Sequence, residues 1–210
     1  MTEIVRNLII INVLVFIGTF VVLGQEGSAF LALYYPASPH FSPYQLVTHM
    51  FTHAGVAHIA FNMYALYMFG PPLEVLWGGR RFLFFYIISG FGSALLNIAV
   101  WYVQIHYIES PDMAAELSSS AAMVGASGAI FGLLAGYAMS FPQNRLGLIF
   151  PPIELEARYF VLIYAAIELY AGIQDVDGAA SSGVAHFAHL GGAVAGVLTI
   201  LYWRKFGTRL

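Results

Sequence analysis

Six long apolar stretches, separated by short breaks, constrain this chain more than any other feature of its sequence. A helix that crosses a membrane needs about 20 mostly apolar residues at a rise of about 1.5 Å per residue. Hydrophobic residues make up 60% of the 210 residues and charged residues only 9%, which is too apolar for a soluble domain of this length. The sequence therefore predicts an all-α membrane protein, one domain over residues 1–210, with spans at about 8–24, 56–70, 82–103, 125–141, 158–172 and 184–203.

The breaks between these stretches consist of residues that interrupt helices. We expect the second span to end at Gly70-Pro71-Pro72. The remaining breaks are Gly78-Gly79, Ser110-Pro111-Asp112, Pro142, Pro151-Pro152 and Asp177-Gly178. Because the chain has no cysteine, disulfides and thiol catalysis are excluded.

The positive charges all fall on one side of the predicted bundle. With six spans, the eight Lys and Arg residues lie at span ends or connections on the side of the termini: Arg6, Arg80, Arg81, Arg145, Arg158, Arg204, Lys205 and Arg209. The opposite side carries only acids: Glu26, Glu109, Asp112, Glu116, Asp175 and Asp177. The positive-inside rule therefore predicts that both termini lie in the cytoplasm.

The first connection on the opposite side, residues 25–55, is long and rich in aromatic residues. It contains no Lys or Arg, and its aromatic side chains include Phe30, Tyr34, Tyr35, Phe41 and Tyr44. Such residues favour the membrane–water interface. We expect an interfacial segment in the outer leaflet, packed on the side of the bundle; an ordinary extracellular loop is the alternative.

The fourth stretch begins with a serine between glycines, Gly125-Ala126-Ser127-Gly128. Gly128, Gly132 and Gly136 recur every four residues, so they share one helix face that another helix can approach closely. From Ser127 to Phe141 the helix spans about 22 Å, against a hydrocarbon core of about 30 Å. A helix this short places Ser127 below the outer surface, where irregular backbone requires surrounding protein or a water-filled cavity.

Two further polar residues reach the same predicted depth as Ser127. His189 lies about 8 Å into the sixth span and Asn62 about 9 Å into the second, at about 1.5 Å per residue. Gly192 and Gly196 follow His189 at four-residue spacing, so this face can dock on the glycines of the fourth span. The docking predicts a Ser127–His189 pair in which the imidazole activates the hydroxyl. Since no carboxylate lies near His189 in sequence, we infer a dyad.

An attacking serine creates an oxyanion, for which three donors are available. They are the Asn62 amide, the His58 side chain one turn before it, and the Ser127 backbone N–H at a helix N-terminus. Phe131 lies one turn below Ser127 and can pack on the His189 ring. Each residue also has a plain structural interpretation, as a small packing residue or a helix-to-helix hydrogen bond.

These motifs resemble the rhomboid intramembrane serine proteases over about residues 40–203. The matching segments are Gly125-Ala126-Ser127-Gly128, Ala188-His189-Leu190-Gly191-Gly192 with Gly196, the segment from Thr48 to Asn62 with His49, His53 and His58, and Gly70-Pro71-Pro72-Leu73-Glu74. The resemblance implies a six-helix rhomboid bundle with a short central fourth helix in the bacterial inner membrane, an active site open to the outer side, and transmembrane proteins as substrates. No cofactor, metal or nucleic acid is implied.

The resemblance also implies a role for each residue. Ser127 becomes the nucleophile and His189, not His186, the general base, with His58, Asn62 and the Ser127 backbone as oxyanion contributors. Gly125, Gly128, Phe131 and Gly192 become supporting residues, and His186 lines the water cavity. The segment near 172–183 becomes a mobile cap loop that, with the fifth span, moves aside for substrate.

The chain departs from the family at two places, and one further residue has no assigned role. Some members carry a Trp-Arg pair in the first loop, where this chain has Tyr44-Gln45. The difference bears on how this loop is anchored and not on catalysis. Phe131 replaces a tyrosine and keeps a ring that can stack. Glu168 lies inside the fifth span without a partner evident from sequence; it is either protonated or hydrogen-bonded to a neighbouring helix, and gating is a further possibility.

Three alternatives stay open from the sequence. A metal-dependent enzyme would use the pairs His49–His53 and His186–His189, but no acid accompanies either pair in sequence and the HExxH pattern is absent. A non-proteolytic relative that binds membrane helices would lack the serine or the histidine. A small transporter is expected to show an internal repeat with broken helices, and none is evident.

Overall fold

Helices form nearly all of the fold. The structure is a computed structural model that describes residues 1–147, 153–176 and 184–206. Its helices are α1 Glu3–Phe16, continued by a π-helical turn Ile17–Val22, α2 Gly24–Leu31, α3 Gln45–Thr48, continued by a 3₁₀ turn His49–Phe51, α4 Val56–Trp77, α5 Gly79–Val103, continued by a π-helical turn Gln104–Ile108, α6 Pro111–Ser120, α7 Ser127–Ser140, α8 Ala157–Val176 and α9 His186–Lys205. Two short antiparallel pairs complete it, β1 Leu33–Tyr34 with β2 Ala122–Met123 and β3 Arg145–Gly147 with β4 Glu154–Glu156.

Four helices in the described ranges are long and apolar enough to cross a membrane: Glu3–Phe20, Gly79–Ile108, Ala157–Val176 and His186–Lys205. Of the other two predicted spans, α7 has only 14 residues, and the 22-residue α4 carries His58, Asn62 and Glu74 among its apolar residues. The structure therefore confirms an all-α membrane bundle. It supports four spans by length and composition, against the six predicted.

The second predicted span is longer than expected because α4 continues through Pro71 and Pro72 to Trp77. The expected end at Gly70-Pro71-Pro72 is wrong. One turn after the prolines, the Glu74 carboxylate accepts hydrogen bonds from the backbone N–H groups of Ile4 and Val5, at 3.0 and 2.9 Å. These contacts hold the last turns of α4 against the start of α1, so tertiary structure outweighs the preference of proline to end a helix.

Helix α7 lies at the centre of the bundle. Ten of its 14 residues are buried, and it packs against α5, α9 and α4. A helix that is apolar on all sides belongs inside a protein, so its central position follows from its composition. This matches the short central helix predicted from the sequence.

Glycines allow α9 to approach α7 at backbone distance. A Cβ added to Gly192 would collide with the backbone of Gly128, and one added to Gly196 would lie 3.0 Å from the Gly132 carbonyl oxygen. The predicted docking of these two faces is therefore present. Gly136 does not take part: a Cβ there would meet Trp77 of α4 and Phe85 of α5, at 2.9 and 3.1 Å, instead of α9.

The first connection packs on the bundle and is tied down by one glutamine. Gln45 is only 1% exposed; its amide donates to the carbonyl of His40 at 2.9 Å, and its Oε1 accepts from the N–H of Ser42 at 3.1 Å. Strand β1 pairs with β2, which links this connection to the segment just before α7. Buried Gln45 thus anchors the loop at the position where the family departure was noted.

Candidate active site

A cavity of about 540 Å³ opens among α4, α7 and α9, with Tyr164 as the contribution from α8. Its wall includes four of the residues expected at the site: His58, Asn62, Ser127 and His189. They come from three helices that are distant in sequence, so the packing of the bundle brings them together. A concave, mainly apolar cavity with a few convergent polar groups is the usual form of a binding or catalytic site.

Ser127 is the first residue of α7, and the chain reaches it through a tight turn. Gly125 has φ +122°, a conformation that side-chain-bearing residues rarely adopt, and a Cβ there would lie 2.7 Å from the His58 ring. The Gly125 N–H donates to the carbonyl of His49 at 2.9 Å. Glycine is thus required for both backbone conformation and space, and the turn presents Ser127 at the helix N-terminus, where N–H groups lack helical partners.

The side chains of Ser127 and His189 are in hydrogen-bond contact. Ser127 Oγ lies 2.9 Å from His189 Nε2, although the residues are 62 positions apart. His189 is buried and Ser127 partly exposed to the cavity. The pair has the geometry in which an imidazole can take the proton of a hydroxyl.

Phe131 holds the imidazole from the side. Its ring lies parallel to that of His189, with centroids 4.4 Å apart and planes 4° apart. On α8, the Tyr164 ring contacts Phe131 at 4.8 Å. The stack limits rotation of the His189 ring and so keeps Nε2 directed at the serine.

The two side chains expected to bind an oxyanion line the same cavity. The His58 Nδ1 accepts the N–H of Ala54 at 3.4 Å, which leaves the ring proton on Nε2, the nitrogen near Gly125. The Asn62 amide donates to the His58 carbonyl at 3.0 Å, so one of its two N–H groups is already used. Both side chains keep an N–H available as a donor.

Two histidines of the first connection are buried, and one of them packs on His58. The His53 ring packs edge-on against His58, with centroids 5.1 Å apart, and His49 donates its Nδ1–H to the Gln45 carbonyl at 2.8 Å. Burial lowers the pKa of His49 to about 4, and burial together with the nearby His58 lowers the pKa of His53 to about 4. Both rings are therefore neutral at physiological pH.

Glu168 is the residue of the site that the sequence left unassigned. Its Oε2 lies 2.8 Å from Nδ1 of His189 and 2.7 Å from Nδ1 of His186. The inference that His189 has no carboxylate partner is wrong, because the partner comes from α8, 21 positions away in sequence. A carboxylate inside an apolar span requires a partner, and two histidines three residues apart on the next helix were the available signal.

His186 lies beside the site and does not line its cavity. It borders a neighbouring cavity of about 250 Å³ with Asp175, whose Oδ2 is 3.6 Å from Nε2 of His186. The predicted cap loop, residues 172–183, is only partly described: 172–176 form the end of α8, and 177–183 lie outside the described residues.

Glu168, His186 and His189 form the group, among the residues the structure describes, that could hold a metal ion. One ligand atom from each of Glu168, His186 and His189 lies within 4.8 Å of the others. An acid therefore accompanies the His186–His189 pair in space, although none accompanies it in sequence. However, both Nδ1 atoms are engaged by the carboxylate, and His189 Nε2 is engaged by Ser127. An ion would have to displace these hydrogen bonds.

Comparison with known proteins agrees with the motifs. The model of the Rhomboid domain family matches residues 40–206. The chain is 33% identical over 155 residues to Rhomboid protease AarA of Providencia stuartii, covering 71% of this chain and 52% of that protein. It is 30% identical over 165 residues to Rhomboid-like protein 11, chloroplastic, of Arabidopsis thaliana, covering 78% and 53%. It is also 29% identical to Rhomboid protein 1, mitochondrial, of Saccharomyces cerevisiae, covering 78% and 43%. The chain spans about half the length of these relatives.

Proposed function

The chain belongs to the rhomboid family, and we propose that it is a serine endopeptidase that cleaves transmembrane segments of other membrane proteins. The observation that carries the proposal is the 2.9 Å contact between Ser127 Oγ and His189 Nε2 on the wall of a cavity inside the bundle. Membership alone does not establish activity, because the similar proteins include ones named only as rhomboid-like.

The reaction begins with proton transfer inside the Ser127–His189 pair. As Ser127 Oγ attacks the scissile carbonyl carbon, Nε2 of His189 accepts the hydroxyl proton. The C–N bond then breaks, and His189 donates this proton to the leaving amine. Water from the cavity then attacks the acyl carbon while His189 Nε2 takes its proton. The bond between the acyl carbon and Ser127 Oγ breaks, and His189 returns the proton to Oγ.

The negative charge on the tetrahedral intermediate requires donors that are already in place. The Ser127 N–H lies at the start of α7, and the side chains of His58 and Asn62, each with an N–H available, line the same cavity as Ser127. Removing one such donor in a serine protease typically reduces kcat by about 10²–10³-fold. We assign the three groups this role.

The substrate class follows from where the cavity lies. Many large apolar side chains are exposed on the outside of the bundle, as suits contact with lipid, while the catalytic pair lies within it. Transmembrane segments therefore reach the serine from the bilayer. The distribution of Lys and Arg supports cytoplasmic termini, a site that opens to the outer side, and, for a bacterial cell, the inner membrane.

Replacement of Ser127 tests the proposal. The purified protein in lipid vesicles should cleave a transmembrane substrate near its outer end and should react covalently with a serine-directed phosphonate. Ser127→Ala should lose both activities and remain folded. Ser140→Ala, at the other end of the same helix, is the matched control and should retain both.

Three outcomes would overturn the serine mechanism. Cleavage by Ser127→Ala would exclude Ser127 as the nucleophile. Loss of wild-type cleavage with a chelator, restored by added Zn²⁺, would instead support a metal-dependent enzyme at Glu168, His186 and His189. A wild-type protein that captures membrane helices without cleaving them would be a non-proteolytic helix binder.

A further inference from the structure

A buried carboxylate remains that the serine–histidine mechanism does not use. Glu168 is only 5% exposed, in the interior of α8, and a charged group is costly to hold in such surroundings unless it is paired. Its partners are both histidines of α9, and one of them is the residue we propose as the base. The contact between Glu168 and His189 requires an explanation beyond helix packing.

We infer, on the basis of the proposed function, that Glu168 is a positioning residue that makes the catalytic group a Ser127–His189–Glu168 triad. An ionised carboxylate only accepts hydrogen bonds, so the Nδ1 atom 2.8 Å from its Oε2 must carry a proton. A neutral imidazole has one N–H, and its lone pair is then on Nε2. That nitrogen lies 2.9 Å from Ser127 Oγ, so Glu168 sets the tautomer that accepts the serine proton.

The carboxylate also acts during the reaction. When Nε2 takes the proton from Ser127, His189 becomes a cation while its ring is buried, and Glu168 provides a negative charge whose Oε2 lies 2.8 Å from Nδ1. Coulomb attraction at this distance is strong where the dielectric constant is low. Glu168 itself keeps its charge and does not take the proton.

His186 completes the surroundings of the carboxylate. Its Nδ1–H donates to the same oxygen at 2.7 Å, which satisfies part of the hydrogen-bonding capacity of the buried anion. Among the described residues, the other titratable groups near this cluster are Asp175 and Tyr164 on α8 and His58 on α4. His186 does not line the cavity that holds Ser127, so we assign its effect on the reaction to its contact with Glu168.

A purely structural role for Glu168 makes a different prediction. If the carboxylate only ties α8 to α9, its removal should lower stability or substrate affinity, and removal of His186 should do the same. A positioning role requires that kcat fall while KM stays nearly constant, and that loss of Glu168 exceed loss of His186. The two roles are therefore separable by kinetics.

The experiment compares Glu168→Gln, Glu168→Asp and His186→Ala with wild type, all in vesicles and with one transmembrane substrate. We expect Glu168→Gln to lose about 10²-fold or more in kcat, the range of a general acid–base contribution, with little change in KM. Its rate of phosphonate labelling should fall in parallel. Glu168→Asp should recover part of kcat because it keeps the charge, and His186→Ala should lose far less. Glu74→Gln, the matched change at a buried glutamate outside the site, should leave kcat unchanged.

A measurement on the wild-type protein keeps the inference testable even if the variants misfold. Nitrogen-15 NMR of labelled histidine should show His189 as the Nδ1–H tautomer; an Nε2–H tautomer would overturn the inference. Wild-type kcat in Glu168→Gln would overturn it as well and would leave the proposed protease intact. A wild-type protein that neither cleaves nor labels would instead remove the proposed function on which the inference rests.

Discussion

The ring of Phe131 lies flat against the imidazole of His189, with 4.4 Å between centroids and 4° between planes. The two residues come from α7 and α9, and their contact is made possible by the glycines at which these helices meet. Backbone packing therefore controls the orientation of the base through two contacts, the aromatic stack and the glycine contact between α7 and α9.

Full catalytic activity should require an aromatic ring at Phe131. In Phe131→Leu, the imidazole gains freedom to turn away from Ser127, and kcat should fall by about 10- to 100-fold because small misplacements of reacting groups are this costly. Phe131→Tyr keeps the flat ring and should retain most activity. Steady-state cleavage of a transmembrane substrate measures both, and equal rates for Leu and Phe would show that the stack does not orient His189.

The glycine contact should tolerate no side chain at Gly192. A methyl group there meets the backbone of Gly128, which cannot rotate away as a side chain can, so Gly192→Ala should separate the two helices. We expect a loss of about 1–3 kcal/mol or more in stability, the usual cost of overpacking, together with loss of phosphonate labelling. Gly18→Ala is the matched control, since a Cβ there meets nothing within 4 Å. A melting temperature for Gly192→Ala equal to that of wild type would contradict the predicted collision.

Glu74 should stabilise the fold from the end of the bundle remote from the serine. The 7% exposed carboxylate binds Thr2 Oγ1 at 2.5 Å as well as the N–H groups of Ile4 and Val5. It therefore accepts hydrogen bonds from N–H groups at the start of α1 that have no partner within the helix.

We expect Glu74→Ala to lose about 2 kcal/mol or more in stability, as for hydrogen bonds to a charged group. Glu154→Gln removes an exposed ion pair with Arg145, at 3.5 Å, and should change stability by less than about 1 kcal/mol. Thermal unfolding followed by circular dichroism compares the two variants. The hypothesis fails if they melt alike.

Stability should fall in mild acid because of His49 and His53. Burial lowers the pKa of each to about 4 in the folded protein, whereas an exposed histidine in the unfolded chain has a pKa near 6.5. Between these values the unfolded chain binds more protons than the folded one, so stability rises with pH through this window. It should be fully present above about pH 6.5 and decline progressively toward pH 4.

The thermal midpoint measured from pH 7.5 to 4 tests this prediction. Replacing His49 and His53 by Phe should flatten the dependence, while His40→Asn, at an exposed residue of the same connection, should leave the slope as in wild type. A midpoint independent of pH would show that the two buried rings do not carry the effect.

Much of the architecture was predictable because it rests on local composition. Apolar length predicts membrane helices, since a chain in lipid must satisfy its backbone internally. The four-residue spacing of Gly192 and Gly196 predicts a close helix contact, and the partners are indeed Gly128 and Gly132. The Ser127–His189 contact followed from depth and from these glycine faces, together with the family motifs.

Only the tertiary structure decided the side-chain contacts that follow no pattern in the local sequence. Glu168 meets His189 because α8 packs on α9 in one particular rotation, and spacing along the chain does not encode that rotation. Likewise, α4 continues beyond its prolines because the Glu74 carboxylate accepts a hydrogen bond from the first turn of α1. The sequence determined which helices form, how short α7 is and which faces can meet. The packed bundle determined that the serine and histidine expected to act as a pair have a third, buried partner.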